Sequence, residues 1–296
     1  MKKRTLLVIS LMLLMAFSIV AVAGCGGGGE QAKKKGPVKL LYVQWACASA
    51  ETHVMKAILE DKMGYEVEIM DVTAAAMYEG VANKKGDAFF TAWLPVTHGE
   101  YMKQVKDQVE DLGPSMEGAK IGLVVPQYVT IDSIEEMNSV KDKFDGKITG
   151  IDSGAGIMIA SEEAIKNYNL DYELSEGSEG TMIALLKQAI DNNKWVVVTG
   201  WTPHWKFARW DLKYLDDPKK DYGEAETINT IVRKGLKEDM PEVYTLFDNF
   251  AWTPEDLGSA MGLAEDLGNA EDGAREWIKQ NPELVNSWLP DQYKDK

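Results

Sequence analysis

The chain has 296 residues, with 32 basic and 47 acidic side chains and a formal charge of −15. So acidic a balance argues against nucleic acid and anionic membrane surfaces as partners, because both collect basic patches. Two cysteines are too few for a disulfide scaffold, and the length exceeds one small core and suits two α/β lobes.

Lys2-Lys3-Arg4 is a positive n-region, and Leu6 to Val22 is an apolar h-region. Val22-Ala23-Gly24-Cys25 has small residues before a cysteine, the lipoprotein cleavage pattern. Residues 1–24 therefore read as a signal peptide and Cys25 as the lipidated residue, which anchors the mature chain to a membrane without spanning it. Loss of Lys2, Lys3 and Arg4 moves the formal charge to −18. Residues 25–37, with Gly26 to Gly29 and a run of lysines, read as a flexible tether. Only Cys47 remains in the mature chain, so no internal disulfide is expected.

From Val38 the chain alternates strands and helices. Val38 to Val43 is predicted as a strand, ending at Gln44-Trp45, followed by a helix from near Ser49 to Lys62. Tyr65 to Asp71 alternates as a strand, Ala74 to Asn83 reads as a helix, and Ala88 to Phe90 as a buried strand. Ile121 to Val125 is a further strand, stopping at Pro126, where the chain is expected to cross to the second lobe. There Lys147 to Ile151 is a strand, and Asp152 to Gly156 turns into a helix through Ile157, Ile159 and Ile165. A helix over 180–193 and a strand over 195–198 follow. Near Ile228 to Arg233 the chain crosses back, and Thr253-Pro254-Glu255 opens a late helix as N-cap, Pro at N1 and early acid. The predicted lobes are 38–125 with 230–296, and 126–229, with a ligand cleft between them.

Thr91-Ala92-Trp93-Leu94-Pro95 and Thr199-Gly200-Trp201-Thr202-Pro203 share the pattern T-x-W-x-P, each directly after an apolar run. In open α/β sheets ligands sit outside the carboxyl ends of strands, so both tryptophans stand where a ligand is met. Two indoles facing each other across a cleft suit a soft cation.

These segments resemble the substrate-binding proteins of glycine betaine/proline betaine ABC transporters. Tyr42-Val43-Gln44-Trp45, residues 91–98, 150–158 and 199–205, and Asp211 to Pro218 carry the resemblance. It implies an α/β, two-lobe type II periplasmic-binding fold and an extracytoplasmic, lipid-anchored monomer. Its partners would be a betaine and a membrane permease driven by a separate ATPase. It assigns Trp45, Trp93 and Trp201 to a box around the quaternary ammonium. The carboxylate goes to the backbone amides of Gly156 and Ile157, assisted by His98. The physics agrees. A trimethylammonium group has no N–H to donate and is held best by aromatic faces, while a helix N-terminus offers free amides to an anion. The resemblance implies no cofactor and no metal. Ser153 stands where such proteins usually carry proline, and Cys47 follows Trp45 where a polar or acidic residue is more usual.

Other readings stand beside these. Tryptophans at strand ends also serve as rim packing, His98 alone is an ordinary surface or capping residue, and Gly154 and Gly156 alone are turn glycines. Tyr78 either lines the cleft or packs on a helix face. His204 reads as structural, and Trp195, Trp205, Trp210, Trp252, Trp277 and Trp288 as packing. The same fold also accommodates choline, carnitine or a sulfonium, but choline has no carboxylate for Gly156-Ile157. An exported hydrolase is disfavoured: Gly150 to Gly154 is not a nucleophile elbow, and His53, His98 and His204 lack zinc spacing.

Overall fold

The computed structural model describes residues 35–294. Residues 1–34, which hold the expected signal peptide, Cys25 and most of the expected tether, lie outside the described residues. Apolar runs form the expected strands: β1 (Lys35–Tyr42), β2 (Tyr65–Asp71) and β3 (Ala88–Leu94) are parallel neighbours, with β1 between the other two. β1 takes in Lys35, Gly36 and Pro37, so regular structure begins three residues before the expected domain start. Helix α1 (Ala46–Ala57) begins directly after Trp45 and runs into a π-helical turn at Ile58–Lys62. α2 (Ala74–Ala82) is N-capped by Thr73, whose hydroxyl accepts from Ala76 N–H. α3 (Gly99–Val105) follows His98.

Among the described residues the sheet has nine strands, eight of them in the order β2-β1-β3-β9-β4-β7-β5-β6. Its spine is β4 (Val109–Pro126), antiparallel to both of its neighbours, β9 (Glu226–Arg233) and β7 (Val198–Thr202). β4 pairs with β9 up to Ala119 and with β7 from Lys120, and its last residues also pair with β8 (Leu212–Tyr214). β5 (Lys147–Thr149) and β6 (Glu173–Ser175) run parallel at the far edge.

Around this half of the sheet lie α4 (Gly156–Asn167), α5 (Glu179–Asp191) and the short α6 (Lys206–Arg209). The chain then returns through β9 to α7 (Leu236–Asp239), α8 (Pro241–Asn249), α9 (Pro254–Leu267), α10 (Ala270–Gln280) and α11 (Pro282–Trp288). Thr253 caps α9 in a capping box with Asp256 and Pro254 at its start, as the sequence predicts. Trp277 and Trp288 stack 6.0 Å apart and Trp252 meets them edge-on, forming a core beneath α9–α11.

Two strand assignments shift. The apolar run 195–198 precedes most of its strand, and β7 runs on through Trp201 to Thr202. β3 likewise continues through Trp93 to Leu94. Both tryptophans therefore sit inside the last residues of their strands. In both strands the apolar run is followed by small or polar residues that are nonetheless buried (Thr91-Ala92 and Thr199-Gly200), so hydropathy does not mark the strand end.

Candidate ligand-binding site

Trp93 is near the end of β3, and Trp201 near the end of β7 faces Ile121 of β4. Trp45 ends the β1 connection, directly before α1. These three rings, with Cys47, Thr97, His98, Ile121, Ile151, Ala155, Gly156 and Ile157, line one cavity of about 310 Å³. That volume includes space open to solvent, and its wall is almost wholly apolar. All six residues singled out from the sequence thus meet at one place, drawn from both halves of the sheet. Tyr78 does not line it; it is buried, stacked 5.7 Å from Tyr101 and edge-on to Phe89 and His98.

Residue-level contacts bring the halves together here. Trp45 Nε1–H donates to Asp152 Oδ1 at 2.8 Å, Ala46 N–H to Glu179 Oε2 at 2.9 Å, and Tyr101 O–H to the Gly154 carbonyl at 2.8 Å. Gly156 opens α4 with no side-chain cap. Its N–H and that of Ile157 belong to the first turn, where no intrahelical acceptor exists, and neither has another acceptor among the described residues. The glycine is required for a reason separate from any ligand: a Cβ there would lie 2.0 Å from the Thr97 carbonyl oxygen.

Thr97 is itself fixed. Glu226, the first residue of β9, accepts from Val96 N–H at 2.6 Å, Thr97 N–H at 2.9 Å and the Thr97 hydroxyl. Sequence reasoning missed Glu226, Thr97 and Asp152 as residues that shape the cavity, because their partners are distant in sequence and no short motif joins them.

His98 is buried rather than exposed, so the surface reading fails. Its Nδ1 accepts from Trp93 N–H at 3.3 Å, which leaves the proton on Nε2. Burial pushes its pKa down to about 4, against a backbone hydrogen bond at Thr91, so the ring is neutral at pH 7. Its ring lies 5.7 Å from that of Trp45.

His204 is likewise buried and neutral, its pKa lowered to about 4 by burial and by Lys206. It accepts at Nδ1 from Lys206 N–H and donates from Nε2 to Glu179 Oε1 at 2.9 Å, the structural role read from the sequence. Burial acts to raise the Glu179 carboxyl, but His204, Ala46 N–H and Lys206 hold it below the ordinary carboxylate range. Cys47 is buried and also touches the cavity, so it packs and lines at once; burial pushes its thiol up. Among the described residues no cluster of His, Cys, Asp and Glu could hold a metal, and no helix is long and apolar enough to cross a membrane.

Residues 36–280 match the model of the substrate-binding domain of ABC-type glycine betaine transport systems. The chain belongs to this family. It is 47% identical over 162 residues to the glycine betaine/carnitine transport binding protein GbuC of Listeria monocytogenes, a match spanning 54% of each protein. The chain thus spans about half the length of that relative. Among solved structures it resembles the glycine betaine/L-proline-binding protein ProX of Borrelia burgdorferi, at 40% identity and a TM-score of 0.83, covering 87% of this chain and 98% of that one. It also resembles lactococcal OpuAC in its closed conformation with glycine betaine, at 39% identity and a TM-score of 0.82, covering 86% of this chain and 100% of that one. The two-lobe periplasmic-binding fold is therefore the fold of this chain, and its relatives are transport binding proteins rather than enzymes.

Proposed function

We propose that the protein captures glycine betaine or a closely related betaine outside the cytoplasm and delivers it to a membrane permease driven by a separate ATPase. One observation carries the reading: three indoles and two free amides at a helix N-terminus line the same small cavity. The indoles Trp45, Trp93 and Trp201 offer dispersion and quadrupole attraction to a trimethylammonium group that cannot donate a hydrogen bond. Gly156 N–H and Ile157 N–H, with the positive end of α4, receive the carboxylate, and His98 adds its Nε2–H from the opposite half. The sequence puts residues 38–125 with 230–296 in one lobe and 126–229 in the other; β4 leaves β9 for β7 at Ala119–Lys120 and β9 pairs with β4 from Glu226, so we take both crossings a few residues before these bounds. Cys25 carries the lipid that keeps the mature protein at the membrane surface, and the protein acts as a monomer.

The test is calorimetric titration of the purified protein with glycine betaine, proline betaine, carnitine and choline. One-to-one binding of a betaine, with choline much weaker, is the expected result. Choline binding alone would keep the indole cage and reject the amide site. Failure of all four would leave the fold and remove the ligand.

A further inference from the structure

Lys206, the first residue of α6, is wholly buried, and its Nζ has no hydrogen-bond partner among the described residues. A buried ammonium left without a hydrogen bond is unfavourable. Nζ stands 4.3 Å from the centroid of the Trp201 ring and 5.3 Å from that of Phe207. Trp201 lines the cavity and Lys206 does not, so the amine stands over the indole from outside the cavity lining. The charged and titratable groups around it are Glu179 on α5, His204 just before α6 and Cys47 on α1, with Glu51 beside Cys47.

An aromatic ring with a protein cation on one face attracts a second cation on the other face less strongly, because the two positive charges repel through it. The penalty differs between ligands. A ligand that is only a cation meets the repulsion in full. A zwitterion carries a carboxylate that the same charge attracts, so part of the repulsion cancels.

We propose that Lys206 is a specificity-determining residue: its charge behind Trp201 disfavours net-cationic quaternary ammoniums such as choline relative to zwitterionic betaines. The proposal rests on the reading of the cavity as a quaternary-ammonium site. The aliphatic stem of Lys206 also packs close to Gly200, and a purely structural role would alter both ligand classes alike. The ratio of affinities separates the two roles.

The experiment compares dissociation constants for choline and glycine betaine in the wild type, Lys206→Met and Lys206→Arg, with folding checked by near-ultraviolet circular dichroism. Lys206→Met keeps the length and removes the charge; choline binding should tighten about tenfold and betaine binding no more than about threefold. Lys206→Arg keeps the charge and should retain the wild-type ratio.

Wild-type titrations at pH 6 and pH 9 give a second measurement that does not depend on a variant folding. Burial lowers the Lys206 pKa to about 7, so the charge is present at pH 6 and lost at pH 9, and choline should gain on betaine across that range. Glu179, held low, and His204, near 4, have finished titrating below pH 6, and Cys47 stays protonated. Burial pushes Glu51 well above the usual carboxylate range, so Glu51→Gln is run beside the wild type and should show the same trend. A wild type that binds betaine with a choline-to-betaine ratio unmoved by Lys206→Met and by pH overturns the proposal. A wild type that binds neither ligand overturns the quaternary-ammonium reading and this proposal with it.

Discussion

Trp93 and Trp201 stand at matching places, and the regions behind them differ. Each ring lies in the last residues of a sheet strand, each segment ends in a cis X–Pro bond (Leu94-Pro95 and Thr202-Pro203), and each is followed within five residues by a buried histidine. At Trp93 the residue's own donors are matched: its Nε1–H donates to the Thr91 hydroxyl at 3.3 Å and its backbone N–H to His98 Nδ1. Behind Trp201 they are not. Trp201 Nε1, the Thr199 hydroxyl and Lys206 Nζ have no hydrogen-bond partner among the described residues. The difference teaches that a shared T-x-W-x-P motif sets where an indole stands but not the electrostatic field behind it. The Trp93 indole has an acceptor for its N–H, whereas the Trp201 indole has none and carries the Lys206 amine against its ring.

The strongest way to break the comparison is to remove both rings. Trp93→Ala with Trp201→Ala should weaken betaine binding by about 25- to 900-fold, since each indole face contributes roughly 5- to 30-fold. Both side chains are buried, so each truncation also costs about 3–5 kcal/mol of stability. Calorimetry is therefore paired with a denaturation curve, and a folded double variant that binds normally would sink the cage.

Next in size is the response to acid, which the two histidines share. The folded-state values near 4 for His98 and His204 lie below the ordinary 6.5, so between those pH values the unfolded chain binds protons that the folded chain refuses. Their stabilising contribution is complete above pH 6.5 and is lost as pH falls towards 4, by roughly 3 kcal/mol for each histidine. Urea midpoints at pH 7.5, 5.5 and 4 measure the slope. His98→Gln and His204→Gln should each flatten it, and an unchanged slope in both would show that these rings are not the buried neutral groups.

A smaller effect is expected from Gly156→Ala, which presses on the Trp93 side alone. The new Cβ must displace Thr97, four residues after Trp93, and carry the two free amides away from the carboxylate. Loss of one charge-assisted hydrogen bond corresponds to about tenfold or more in affinity. Unaltered betaine binding would place the carboxylate elsewhere.

The subtlest test compares the hydroxyls. Thr91→Val leaves Trp93 Nε1 buried without an acceptor and should cost about 1–3 kcal/mol, whereas Thr199→Val deletes a hydroxyl that has no partner and should be close to neutral. Equal melting temperatures for the two variants would erase the asymmetry.

The sequence announces much of this architecture. β2 has the predicted limits Tyr65–Asp71 because its alternation is regular, and α9 starts where Thr253-Pro254 says it should. β4 was legible only over its apolar end. Residues 109–120 hold Gly113, Pro114 and Gly118, which read as turns, and they enter the sheet through breaks in register against β9. That pairing is set by a strand more than a hundred residues away, and no local propensity encodes it. The candidate site follows the same rule. The rings and the glycine stand out because they head short motifs; Glu226 does not, and Asp152, though inside residues 150–158, is not marked by it, because their roles depend on partners that only the folded chain brings near.

The Glu179 carboxylate spends its two oxygens on different halves of the sheet: one takes the first N–H of α1, the other the imidazole of His204. Close by, Asp152 accepts from Trp45. Hydrogen bonds fade over a fraction of an ångström, so drawing Trp45 and Ala46 away from the other half of the sheet would strip Asp152 and Glu179 of these donors together. The two carboxylates thus tie the approach of the halves to their own hydrogen bonding, and closure is rewarded by the protein's own polar groups as well as by whatever the cleft holds.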